Sequence, residues 1–335
     1  MKKIMTMLAI IAAVLSISAC KNQNRKPILP SISGKAGEVL IVINKEYWEG
    51  DTGNTLRELL ASDFPYLPQR EPLYTLINIT PGAFTDIFQI HRNILIVNID
   101  GSVTQPGVIY RNDVWASPQC VIGVNAPDVE TACQLIKDNG EKLLTTLEQA
   151  ERDRVVANSV RYEEVTLRPA MAALTGGILH FPVGYSLKKQ TDDFLWISYD
   201  TQYTNQNFIV FKYPATGTEA DFSLDTLMTR SNEAMKANVP GMFENTYMII
   251  SNAVTPDVQY LKYRGREFAQ MRGLWEVHKD YMGGPFVSHA FYSQDGKEII
   301  VIEAFVYAPK YDKRHYLRQV ESILYSFEWA SDVTK

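Results

Sequence analysis

The stretch PFVSHAFYSQDGKEIIVIEAFVY (285–307) decides the fold of the C-terminal half. Asp295-Gly296 is the strongest turn signal in the chain. Apolar runs flank it on both sides, so the segment reads as a β-hairpin. A two-residue turn pairs Gln294 with Lys297, which sets Ser288 opposite Glu303 and His289 opposite Ile302. Alternation then puts His289 on one face with Ile300 and Ile302, and Ser288 with Glu303 on the other.

Upstream, REFAQMRGLWEVHKD (266–280) supplies a third strand of the meander. DDFLWISYD (192–200) and NFIVFKY (207–213) read as two more. SLDTLMTRSNEAMKANVPG (223–241) reads as a helix opened by Ser223 or Asp225 and closed by Pro240-Gly241. A last helix over 313–324 aligns Leu317, Val320 and Leu324 on one face. These elements predict an antiparallel-sheet domain over 177–330 with helices packed on one side.

The N-terminal half has a different rhythm. GEVLIVIN (37–44), YTLINIT (74–80), NILIVNI (93–99) and QCVIGVN (119–125) read as buried strands. Helical patterns separate them: TLRELLASDF (55–64), with Thr55 and Glu58 as a capping box, GAFTDIFQIHRN (82–93), and a long helix from Pro127-Asp128 to about Ala157. GSVTQPGVIYRNDVWASP (101–118) reads as loop. The alternation predicts an α/β layer domain over 35–155, joined by a helical connection (156–176) to the second domain. The class as a whole is α+β with an α/β N-terminal part.

Ahead of both lies LSISACKNQNRK (15–26). Met1-Lys2-Lys3 is a basic start, the next residues are apolar, and Ile17-Ser18-Ala19 precede Cys20. Residues 1–19 therefore read as a signal peptide. An aliphatic residue, two small ones and a cysteine resemble the lipobox of bacterial lipoproteins. That resemblance implies cleavage before Cys20 and lipidation of its thiol and new amine, so the membrane is the first expected partner. The competing reading is an ordinary secretory signal. Residues 20–34 then form a polar tether with Pro27 and Pro30. Lys21, with no acidic cluster after it, favours an outer-membrane anchor facing the periplasm.

The formal charge is −5 with Lys2 and Lys3 included, so loss of the leader leaves −7. An acidic body without a basic cluster argues against nucleic acid. Cys120 and Cys133 remain as a candidate disulfide, or as two buried thiols. The five histidines show no tight ligand spacing, and no metal or cofactor is expected. His278, His289, Glu276 and Glu303 come nearest to a metal set, but strand alternation separates them. No GxSxG, GxxxxGK[ST] or GxGxxG motif occurs, so no catalytic residue is assigned. Acidic pairs such as Asp192-Asp193 and Glu163-Glu164 read as solvated faces or caps. Aromatics in loops are the remaining signal. HKDYMGGPF (278–286) is the expected partner surface, through His278, Tyr281, Met282 and a flexible Gly283-Gly284 pair.

LHFPVGYSLKK (179–189), the long hairpin and the final helix resemble the fold of the extrinsic lumenal subunit of photosystem II. GKAGEVLIVINKEYW (34–48) and FPVGYSLKK resemble an uncharacterised family of bacterial envelope lipoproteins, a domain of unknown function. The resemblance brings no catalytic residues. The expectation is a lipid-anchored envelope protein that binds a protein or ligand. The alternatives are an envelope hydrolase acting on cell-wall or glycan material, and a binder of a small apolar ligand between the domains.

Overall fold

A computed structural model of the protein describes residues 28–333, so the leader and Cys20 lie outside the described residues. The first sheet contains β1 (Glu38–Val42), β2 (Thr75–Ile79), β3 (Asn93–Ile99), β4 (Gly107–Asn112) and β5 (Cys120–Ala126), in the order β2-β1-β3-β5-β4. β2, β1, β3 and β5 are parallel, and β4 closes one edge antiparallel to β5. Residues 101–118 are thus not all loop. β4 carries partly exposed and polar side chains, as an edge strand does, and lacks the apolar signature of its buried neighbours.

Helices α1 (Asp51–Leu60), α2 (Val129–Asp138) and α3 (Gly140–Arg161) accompany this sheet. The capping box does not form. The helix already begins at Asp51, and the Thr55 hydroxyl donates to the Asp51 carbonyl at 2.9 Å. The expected long helix is broken at Asn139, which ends α2 and opens α3. Leu56, Leu60, Ile136, Leu143 and Leu147 bury the helix faces against Val39, Ile41, Leu95 and Ile122.

After α4 (Arg168–Thr175) and β6 (Gly177–Ile178), the second sheet is built from β7 (Ser186–Gln190), β8 (Phe194–Asp200) and β9 (Asn205–Pro214). Helix α5 (Leu224–Asn238) follows. The sheet then continues with β10 (Met248–Ile250), β11 (Asp257–Tyr263), β12 (Arg266–Val277), β13 (Gly283–Tyr292) and β14 (Glu298–Tyr307). Its order is β10-β12-β13-β14-β9-β8-β7, with β11 also on β12. Helix α6 (Arg314–Leu324) and β15 (Glu328–Trp329), paired with β6, end the fold. The hairpin register matches the expectation: Ser288 faces Glu303 and His289 faces Ile302.

Helices cover both faces of this sheet, not one. Met171 and Leu174 of α4 and Leu317, Val320 and Ile323 of α6 pack on Ile300, Ile302 and Val287. Leu227 and Met235 of α5 pack on the opposite face with Ile299, Val301 and Phe305. The period-2 alternation of β14 supplies both cores. α5 crosses the far face on the way from β9, inside the sheet, to the edge strand β10.

Buried charges join the halves. Arg318 of α6 pairs with Glu148 of α3, which also accepts from the Tyr74 hydroxyl at 2.9 Å. Glu71 accepts from the backbone N–H groups of Lys313 and Arg314 at 2.6 and 2.9 Å, and so caps α6 from the other half.

Candidate functional site

Alternation on the α5 face of the second sheet leaves one region uncovered. Trp196, Ser198 and Asp200 on β8, Asn205 and Asn207 on β9, Trp275 and Val277 on β12, and Phe305 and Tyr307 on β14 all line one cavity of about 460 Å³. Their i, i+2 spacing is what places them on one face. α5 ends at Asn238, short of this region, and the Val239–Met242 segment bends over its edge with Met248 and Met282. The size is that of a small-ligand or side-chain pocket, and the lining is mainly aromatic and thioether.

The polar groups gather at one end. Lys188 Nζ lies 2.7 Å from Asp200 Oδ2. Asn205 Nδ2 donates to Asp200 Oδ1 at 2.8 Å, and Ser198 donates to the same oxygen. Burial raises the Asp200 carboxyl, but these hydrogen bonds outweigh it and hold the group below the usual carboxylate range. Asn207 Oδ1 accepts from the Trp196 indole at 2.9 Å. The Trp275 indole donates across β13 to the Val306 carbonyl at 3.2 Å. Each polar atom named here is engaged, and what the cavity offers an occupant is mainly apolar surface.

The expected partner loop borders this cavity, with one correction. Gly283 and Gly284 are not a flexible loop pair. They open β13, opposite Glu276 and Trp275. A Cβ on Gly284 would stand 2.1 Å from the Val306 carbonyl oxygen and 3.0 Å from Trp275 Nε1. Glycine is needed there because the Trp275 indole crosses the strand at that point. Met282 lines the cavity, Tyr281 is fully exposed, and His278 stacks on Tyr247 at 4.9 Å. Trp196, Trp275, Met242 and Met248 sit in strands or after a helix, where nothing in the sequence distinguishes them from core.

Cys120 and Cys133 are not bridged; both thiols are free. Cys120 opens β5 while Cys133 is four residues into α2, which starts just beyond the strand's far end. The strand spans about 20 Å and the helix returns only about 6 Å. A bridge needs α-carbons within about 7 Å. The metal-set candidates are also separated. His289 packs on Phe268 and Tyr325 on the α6 face, whereas Glu303 lies on the α5 face. Burial and the nearby Arg266, Arg272 and Arg152 hold the His289 imidazole well below its ordinary value. Among the described residues no three His, Cys, Asp or Glu side chains converge as a metal site. No helix among them is long and apolar enough to cross a membrane.

Residues 32–159 match the model of a domain of unknown function, DUF8532, and residues 169–326 match a second, DUF4837. The chain combines two domains of unknown function. The cavity lies wholly within the DUF4837 span, and the buried charges of α3 and α6 join it to the DUF8532 span. No curated protein matches the chain. Among solved structures, the chain is similar to the Ran-binding protein Mog1p of Saccharomyces cerevisiae, at 11% identity and TM-score 0.30, over 45% of this chain and 88% of that one. It is similar to a Bacteroides thetaiotaomicron protein at 9% identity and TM-score 0.22, over 47% of each chain. It is also similar to the lipid transfer and protein localization domain of human StarD13 at 12% identity and TM-score 0.22, over 43% of this chain and 89% of that one. Scores at this level give these likenesses no weight.

Proposed function

We propose that this chain is a tethered binding protein of a bacterial cell envelope, anchored through lipid on Cys20 and engaging a protein partner at the Trp196–Trp275 cavity. One observation carries the binding reading. Three large apolar side chains stand in water around the pocket: Met242 at 78% exposure, its neighbour Phe243 at 63%, and Tyr281, next to Met282, at 106%. An aromatic and thioether rim around a desolvated pocket is the arrangement of an interaction hot spot. The occupant is an apolar side chain of the partner, with the rim closing over it. The lipobox around Cys20 supports the anchor, and Lys21 supports the outer membrane facing the periplasm.

The test is crosslinking of the lipidated protein in its native envelope. It compares wild type, Cys20→Ala, and a Met242→Ser/Tyr281→Ser pair that replaces two exposed side chains. The expected result is a specific partner that both variants lose. A partner kept by the rim variant places the contact elsewhere, and one kept by Cys20→Ala removes the anchor from the reading.

A further inference from the structure

A second chamber, of about 590 Å³, lies on the other face of the sheet, beneath the β11–β12 turn. Arg264 and Gly265 both adopt positive φ (48° and 84°), and Tyr263 pairs with Arg266 across them. The tight turn sets Arg266 at the start of β12, on the same face as Phe268. The guanidinium carbon lies 4.7 Å from the Phe327 ring centre, 4.8 Å from Phe291 and 5.8 Å from Phe268. Nη1 donates to the Phe327 carbonyl at 2.9 Å, and buried Nε has no partner.

Among the described residues no carboxylate forms an ion pair with this charge, and burial pulls the Arg266 guanidinium down to about 10. Other arginines differ: Arg92 and Arg154 meet Glu151, Arg168 meets Glu163, Arg272 meets Glu321 and Arg318 meets Glu148. Glu328 lines the same chamber, but its Oε1 is taken by His180 Nε2 at 2.5 Å. His180 Nδ1 in turn lies 2.9 Å from Glu163 Oε2, and Arg168 donates to both oxygens of that carboxylate. Glu163 is therefore buried in a relay of charges and is not the solvated residue its sequence context suggests. A partly buried cation without a counter-ion is costly unless an anion can reach it.

We propose that this chamber is a binding site for a small organic monocarboxylate, whose carboxylate pairs with Arg266 and whose apolar body lies against Phe291, Phe327 and Trp329. A guanidinium takes a carboxylate through charge-assisted hydrogen bonds, which strengthen where water is excluded. Phe327 and Trp329 meet edge to face at 5.1 Å, giving a firm aromatic wall for the body. The lining sets Glu267, Glu328 and Asp332 against Arg264 and Arg266, so a doubly charged phosphate is repelled more than a monoanion. The proposal is independent of the Trp196–Trp275 cavity.

Calorimetric titration of the full chain with 3-phenylpropionate, its neutral amide and inorganic phosphate tests it. The acid is expected to bind saturably, the amide at least about tenfold more weakly, and phosphate not at all. Arg266→Gln is expected to abolish the preference for acid over amide. Equal binding of acid and amide to wild type, no saturable binding of the acid, or phosphate binding as tightly each overturns the proposal. So does a preference that survives Arg266→Gln in folded protein. The acid–amide comparison stands on wild type alone should that variant fail to fold.

Discussion

Replacing Glu303 with Gln should make the protein more stable at pH 8 and leave it little changed at pH 4. Glu303 is fully buried on β14, with Ser288 opposite it on β13, and neither carboxylate oxygen has a hydrogen-bond partner of good geometry. Burial pushes the carboxyl up from 4.5 to about 7, and the nearby Ser231 hydroxyl only partly opposes this. The folded state thus keeps a proton that the unfolded chain releases. The site's contribution is intact below pH 4.5, declines as pH rises through the window to about 7, and is at its minimum above. At 1.36 kcal/mol per unit, that shift corresponds to about 3 kcal/mol at pH 8. Glutamine keeps the shape and has no proton to lose. Urea denaturation of both proteins between pH 4 and 8, taken as the difference wild type minus variant, isolates this group from every other titration. A difference that stays flat across the window refutes the reasoning.

Two further outcomes follow from the packing. Gly284→Ala puts a methyl against the Val306 carbonyl and the Trp275 indole, so it should destabilise the protein by about 2–4 kcal/mol and disturb tryptophan fluorescence; an unchanged denaturation midpoint would count against the close approach. Cys120 is buried, with its thiol pushed up to about 11 by burial, while Cys133 is only half-buried. In the Cys20→Ala chain without reductant, a thiol reagent should label Cys133 in the native protein and Cys120 only after unfolding; fewer than two reactive thiols in denaturant would show a bridge.

The legible parts of the fold were those where one local rule decides. Asp295-Gly296 gave the register of β13 and β14, and the apolar run 93–99 gave β3 residue for residue. Among strands the misses were edges; among helices, the one expected over 82–93 shrinks to Asp86–Gln89. β4, β7 and β11 carry polar or exposed side chains, so no apolar run marks them, and the Arg264-Gly265 turn lacks the usual Asn or Asp. The cavity was hidden for a related reason. Its walls come from strands between 186 and 307, and each Trp and Phe in them looks like ordinary core until α5 is seen to stop short.

Carboxylates show why sequence alone could not rank the polar residues. Among the described residues Glu71, Glu151, Asp221, Glu303 and Glu321 are all buried. Glu71 caps a helix 242 residues away, and Glu151 accepts from Arg92 and Asn93, some 58 residues back. Asp221 accepts from the backbone N–H groups of Thr216 and Gly217 and from the Tyr292 hydroxyl, and Glu321 pairs with Arg272. Glu71, Glu151 and Glu321 draw their partners from distant chain, and Asp221 draws its own from the neighbouring turn and from Tyr292. Glu303 has no such supply and lies two residues from Phe305, a wall of the apolar cavity. A neutral acid fits that face with modest loss; a carboxylate there must draw in water or a cation. The same local signal, one acidic residue in an apolar strand, thus has opposite consequences depending on what the topology brings to meet it.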